Sequence, residues 1–175
     1  MNAQVISGFP GVGKTYITKN HKGLSISDSD SSSFSWVSPG VRNPDFPRNY
    51  IRYIQENLDY YDVIFVSSHR VVRNALAENR IHFTLVYPDI CLKEEYLERY
   101  RKRGSDEEFI KMMCENWEGF LGEIRDLHYS TLDEINFVCL RGEGRFLDLP
   151  RDIVRFKQKE ITPKICFGNI ENPKF

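Results

Sequence analysis

The sequence predicts an α/β fold built on a mainly parallel sheet. Three observations predict it. Short β-prone runs alternate with helical patterns along most of the chain. One of those runs, Asp62-Val63-Ile64-Phe65-Val66, is apolar without alternation, the mark of a strand covered on both faces. A glycine-rich turn, Gly8-Phe9-Pro10-Gly11-Val12-Gly13-Lys14-Thr15, separates the first strand from the first helix.

The elements follow in order. Ala3-Gln4-Val5-Ile6-Ser7 is the first strand, and residues 15–21 carry a helical pattern. Leu24 leads into Ser25-Ile26-Ser27-Asp28-Ser29-Asp30-Ser31-Ser32-Ser33, serine-rich and acidic, where a second strand would end. Residues 39–48, rich in Pro, Gly and Asn, read as loop. Pro47 opens a helix with Tyr50, Ile51, Ile54 and Leu58 at helical spacing. Residues 62–66 are a strand, 71–79 a helix, and 82–87 a strand closed by Pro88. Residues 93–103 form a charged helix with Tyr96, Leu97 and Tyr100 on its apolar side. Ser105-Asp106-Glu107-Glu108 fits a capping box that starts a long amphipathic helix carrying Phe109, Met113, Trp117, Leu121 and Ile124. Residues 135–140 are the last strand, followed by Gly142-Glu143-Gly144. The tail beyond Pro163 shows no periodicity.

Bulk properties bound the function. The 175 residues suffice for one domain with a sizeable core. A net charge of −1 supplies no global attraction to nucleic acid or an anionic membrane, while leaving room for a local basic patch. Cys91, Cys114, Cys139 and Cys166 are scattered without a CxxC pair, which argues against zinc and dithiol chemistry and reads as the reduced thiols of a cytoplasmic protein. His21, His69, His82 and His128 show no metal-ligand spacing. No apolar run approaches the ~18 residues of a membrane span, and a secretory leader is not expected. Monomer and homodimer fit equally.

The turn from Gly8 to Thr15 matches G-x-x-x-x-G-K-[ST], a phosphate-binding loop. Gly8, Gly11, Val12 and Gly13 let successive backbone N–H groups converge on one concavity. Lys14 supplies a point charge for the β- and γ-phosphate oxygens. Thr15 offers a hydroxyl to Mg²⁺, and the helix beginning near Thr15 and Tyr16 presents its positive end to the anion. The expected ligand is therefore Mg-ATP. Phe9 is expected to pack locally.

The phosphate loop, the compact size and the segment Arg99-Tyr100-Arg101-Lys102-Arg103 together resemble P-loop nucleoside monophosphate kinases, the adenylate-kinase-like group. With Val66-Ser67-Ser68-His69 and Phe83-Thr84-Leu85-Val86-Tyr87-Pro88, the chain looks closest to small bacteriophage-encoded nucleotide kinases. The resemblance spans roughly residues 3–149. It implies a P-loop NTPase-type three-layer sandwich with a five-stranded parallel sheet in the order 2-3-1-4-5. It also implies one kinase domain over residues 1–160, with an acceptor-binding lobe about 31–60 and a mobile lid about 99–108. Residues 161–175 would be a tail without assigned role. Adenine would pack on the turn 142–145, placing Arg145 at the nucleotide.

The acidic pair is similar to that of shikimate kinase, where an Asp-x-Asp ends strand 2, the first carboxylate assisting Mg²⁺ and the second holding the acceptor. Asp28 and Asp30 match by type and place. The chemistry also stands unaided, because residues two apart on an extended chain point the same way. The chain departs from nucleoside monophosphate kinases at strand 3, which ends in Ser67-Ser68-His69-Arg70 without a carboxylate. Asp28 would then take over the metal role, or Thr15, nucleotide and water would hold Mg²⁺ alone. Arg42, Arg48, Arg70 and Arg73 are candidates for an acceptor phosphate. Trp36, with Phe34 and Phe46, lies where an acceptor base would stack. Arg99 and Arg103, four apart, would share a helix face and neutralise the transferring group when the lid closes.

The expected activity is transfer of the ATP γ-phosphoryl group to a nucleoside or deoxynucleoside monophosphate. A kinase acting on a hydroxyl, of a small metabolite or a polynucleotide 5′ end, is the alternative, with Asp30 as base. A non-catalytic protein that binds or sequesters nucleotides is a third reading.

Overall fold

The computed structural model describes residues 3–129 and 135–153. Five strands, β1 (Gln4–Gly8), β2 (Ile26–Asp28), β5 (Val63–Ser67), β6 (Phe83–Pro88) and β7 (Ile135–Leu140), form one sheet. Every pairing within it is parallel. Two short strands, β3 (Trp36–Ser38) and β4 (Val41–Arg42), pair antiparallel as a separate hairpin inside the stretch expected to be loop. Numbered over all seven strands the sheet runs β2-β5-β1-β6-β7 rather than 2-3-1-4-5. The difference in numerals comes from the inserted hairpin: counted over the sheet alone, the strands stand second, third, first, fourth and fifth.

Burial explains the parallel sheet. Val5 to Gly8, Val63 to Val66 and Phe83 to Val86 are each buried without interruption. Alternate side chains on a strand point to opposite faces, so both faces must be covered. Helices cover them. They are α1 (Lys14–Asn20), α2 (Ser32–Ser35), α3 (Arg48–Asn57), α4 (Arg70–Glu78), α5 (Lys93–Lys102), α6 (Glu107–Tyr129) and α7 (Leu149–Asp152). Each long helix buries one stripe: Tyr50, Ile51 and Ile54 on α3, Val72, Ala75 and Leu76 on α4. On α6 the stripe is Ile110, Met113, Trp117, Leu121 and Ile124. Trp117 is fully buried and donates its indole N–H to the Ile90 carbonyl at 2.8 Å. Among the described residues no helix is long and apolar enough to cross a membrane.

The start of α6 differs from the expected capping box. Asp106, not Ser105, caps the helix, its carboxylate accepting from the Phe109 amide at 2.6 Å. The Ser105 hydroxyl instead accepts from Arg103 Nε at 2.7 Å. One residue later, the Asp106 carboxylate meets the third amide of the helix, that of Phe109.

The sheet register gathers the loops that carry chemistry. Gly8 stands beside Ser67 on one side and Val86 on the other, at the carboxyl ends of three adjacent strands. Asp28 lies level with Phe65, and the Ser29 amide continues the ladder to the Phe65 carbonyl at 3.0 Å. The crevice beyond the carboxyl ends is where open parallel sheets hold ligands.

Candidate functional site

The phosphate loop is held through its carbonyls, by its own lysine and by groups outside it. Lys14 Nζ donates to the Gly8 carbonyl at 2.6 Å and to that of Phe9 at 3.3 Å. The Tyr100 hydroxyl donates to Pro10 at 3.0 Å, Arg99 Nη1 to Gly11 at 3.0 Å, and the Leu147 amide to Val12 at 2.9 Å. Five consecutive carbonyls are therefore engaged. Among the described residues the amides of Gly11, Gly13, Lys14 and Thr15 donate to no protein group. That asymmetry leaves donors for an anion at a helix N-terminus.

Glycine is required twice in this loop. Gly11 has φ +83° and Gly13 φ +109°. A Cβ on Gly11 would meet the Tyr100 ring at 3.0 Å, and one on Gly13 would meet Phe146 at 3.3 Å. The positive φ strains any other residue at both positions, and the close approach adds to it.

Phe9 leaves the loop for the core. It is buried, edge-on to Trp117 at 5.6 Å and to Tyr96 at 6.4 Å between ring centroids. The loop is thereby anchored to α5 and α6 by aromatic packing.

Lys14 is confined within the loop, and burial pushes its pKa down to about 8. The carboxylates of Asp28 and Asp30 act against that shift, and the Arg103 guanidinium adds to it. Lys14 thus feels the charges of Asp28, Arg103 and Asp30 together.

Thr15 Oγ1 donates to Asp28 Oδ2 at 2.9 Å. The alternation expected for the acidic segment holds: Ser27 and Ser29 turn inward and are buried, Asp28 and Asp30 turn outward. Two hard oxygen donors side by side at the end of the phosphate loop suit Mg²⁺. The donor set therefore fits the ion, with Thr15 and Asp28 as the residues that would hold it.

Asp30 lies at one wall of a cavity of about 370 Å³, lined also by Ser31, Ser35, Trp36, Arg42, Phe46 and His69. Its Oδ1 accepts the Ser32 amide at 2.9 Å, which sets the carboxylate's rotation. Arg42 lies over the Trp36 ring at 3.9 Å. The structure thus brings together Asp30, Trp36 and Arg42 from the expected acceptor residues. His69 joins them without having been singled out. Burial holds its pKa below the ordinary imidazole value, against the pull of Asp30 and with the help of Arg73, Arg42 and Lys14. Its signal in the sequence was position alone, two residues past the end of a central strand.

The other expected acceptor residues are elsewhere. Arg48 is exposed and pairs with Asp45 at 2.9 Å. Arg70 is exposed and stands 4.0 Å from Glu123. Arg73 is buried, donates to the Ser68 carbonyl and stands 3.5 Å from Glu123, so it ties α4 to α6. Phe34 packs on Tyr50 and Tyr53 rather than lining the cavity. Tyr16 is exposed on α1.

Arg99 departs most from expectation. It is not a solvated lid residue. Besides Gly11 it donates to the Arg145 carbonyl at 2.7 Å and to Glu95 at 2.5 Å. Its guanidinium lies between the Tyr96 ring, 4.4 Å away, and the Phe146 ring, 3.9 Å away. Glu95 in turn accepts the Gly144 amide at 3.0 Å. Arg99 and Glu95 therefore clasp α5, the phosphate loop and the turn after β7. Arg103, just past α5, is exposed and faces Ser105, Tyr100 and Phe109. The Arg145 side chain pairs with the buried Asp152 at 2.5 Å, so the turn 142–147 presents backbone rather than this arginine.

No protein-family model and no curated protein matches the chain.

Proposed function

We propose that the chain is a phosphotransferase that moves the γ-phosphoryl group of Mg-ATP to an acceptor held in the 370 Å³ cavity. The observation that carries the reading is the phosphate loop itself. Its carbonyls are held by hydrogen bonds, its amides at Gly11, Gly13, Lys14 and Thr15 are left to donate among the described residues, and Thr15 and Asp28 stand 2.9 Å apart beside them. When bound, Mg²⁺ would neutralise phosphate charge. Lys14 supplies a cation inside the loop, Arg103 supplies a second one nearby, and Asp30 faces the acceptor. Such preorganised charge is the main source of rate in phosphoryl transfer.

The acceptor implied by the resemblance is a nucleoside or deoxynucleoside monophosphate, for which Arg42 is the phosphate partner within the cavity. One observation favours the second reading, a hydroxyl acceptor: the carboxylate of Asp30 lies on the cavity wall, where a base would be needed. The test is ADP release from Mg-ATP over a panel of ribo- and deoxyribonucleoside monophosphates, nucleosides, shikimate, gluconate and a 5′-hydroxyl oligonucleotide. Acceptor-dependent ADP release that vanishes in Lys14→Ala supports a phosphotransferase. ATP binding with no turnover on any acceptor replaces it with a nucleotide-sequestering protein.

A further inference from the structure

We propose that the acceptor is uncharged and bears a hydroxyl on a flat ring system, a nucleoside rather than a nucleoside monophosphate. This rests on the phosphotransferase reading and decides between its two acceptors.

Charge comes first. The cavity lining holds one full positive charge, Arg42, and one full negative charge, Asp30. His69 is the remaining titratable group there, and its surroundings disfavour the protonated ring. None of the other arginines expected at the acceptor lines the cavity: Arg48 pairs with Asp45, and Arg70 and Arg73 stand 4.0 Å and 3.5 Å from Glu123. A monophosphate acceptor would bring about two negative charges to a lining whose one cation, Arg42, is matched by Asp30. It would also place them against Asp30, and like charges at short range repel strongly outside bulk water.

Position comes next. Asp30 is the carboxylate of the lining, two residues along the chain from Asp28, and its charge acts on Lys14. Its Oδ1 is held by the Ser32 amide, and among the described residues Oδ2 accepts no hydrogen bond. An oriented carboxylate with one open oxygen is a proton acceptor in place. Ser31, Ser32 and Ser35 line the same cavity, a polar wall that suits a neutral polyol such as ribose. Trp36 and Phe46 give it aromatic walls for a base.

The chemical step balances without a further reactant. The acceptor hydroxyl oxygen forms a bond to the γ-phosphorus of ATP. Its proton passes to the Asp30 carboxylate. The bond from the γ-phosphorus to the bridging oxygen breaks, and ADP departs with that electron pair. The product is a nucleoside monophosphate, and Asp30 returns its proton to solvent.

The experiment measures ADP formation from Mg-ATP with each ribo- and deoxyribonucleoside and with each matching monophosphate, alongside ATP titrations of the wild type, Lys14→Ala and Asp30→Asn. Asparagine keeps an oxygen for the Ser32 amide, so the local turn survives. At least one nucleoside is expected to turn over ten-fold or more faster than its monophosphate. Asp30→Asn is expected to lower that kcat by about 10² to 10⁴, the usual worth of a general base, with ATP affinity within two-fold of wild type. Preference for monophosphates, turnover of neither acceptor, or an Asp30→Asn variant within a few-fold of wild type each overturns the inference. A wild type that binds ATP no better than Lys14→Ala overturns the phosphotransferase reading itself.

Discussion

Thr15 and Asp28, thirteen residues apart, meet at 2.9 Å with the hydroxyl donating to the carboxylate. Helix α1 supplies one and strand β2 the other, so the pair exists only because β2 lies beyond β5 in the sheet and turns Asp28 outward at its carboxyl end. The contact joins two residues that share one expected duty, holding the ion that accompanies ATP.

Asp28→Asn should therefore raise the Mg²⁺ concentration needed for half-maximal turnover by about ten-fold, since an amide oxygen is a weaker ligand for a hard cation. Saturating Mg²⁺ should restore most of kcat. A magnesium titration of the variant checks this, and an unchanged half-saturation point would remove Asp28 from the metal site.

Lys14→Ala should lower kcat by at least about 10²-fold, the scale for losing one preorganised charge donor. Thermal stability should fall little. The lysine is confined with a pKa near 8, so part of its hydrogen bonding to Gly8 and Phe9 is offset by the desolvation of its charge. Turnover and thermal unfolding measured on the same preparation separate the two effects.

The same pKa sets a pH dependence. With Lys14 lowered to about 8 in the free protein, the amine is increasingly neutral above that pH, whereas the phosphates of ATP need it charged. ATP affinity should be flat below pH 8 and fall by up to ten-fold per unit above it. Binding at pH 8.5 should take up a proton, visible in calorimetry as a dependence on buffer ionisation heat. For stability the sign is opposite. The unfolded chain holds this proton up to about 10.5, so Lys14 makes stability rise with pH from about 8 to 10.5 and leaves it flat below.

Arg99 and Arg103 should separate. Arg99→Ala removes three hydrogen bonds from a largely buried guanidinium, and bonds to charged groups contribute a net ~1.5–3 kcal/mol each, without being additive. A net loss of ~3 kcal/mol corresponds to a melting temperature lower by about 6–12 °C for a chain of this size. ATP affinity should weaken as well, because the Gly11 carbonyl loses its tether. Arg103→Ala should leave the melting temperature unchanged and lower kcat alone, by about 10²-fold. Differential scanning fluorimetry with steady-state kinetics distinguishes the two patterns.

The local features of this protein were legible in residue order. The strand at residues 62–66, the apolar stripe from Phe109 to Ile124 and the loop ending in Lys14-Thr15 each follow from periodicity or backbone stereochemistry within a few residues, and each is found within a residue or two of its expected place. The direction of Asp28 and Asp30 followed in the same way, from the two-residue period of an extended chain. Tertiary structure alone decided which charges are available. Arg73 and Arg99 are arginines on helices like any others in the sequence, but one is closed on Glu123 and Ser68 and the other on Glu95, Gly11 and Arg145. These partners lie up to 88 positions away. A side chain's charge is a property of its residue type, whereas whether that charge is spent on structure or left for a ligand depends on which distant carbonyl or carboxylate the fold carries into hydrogen-bonding reach of it.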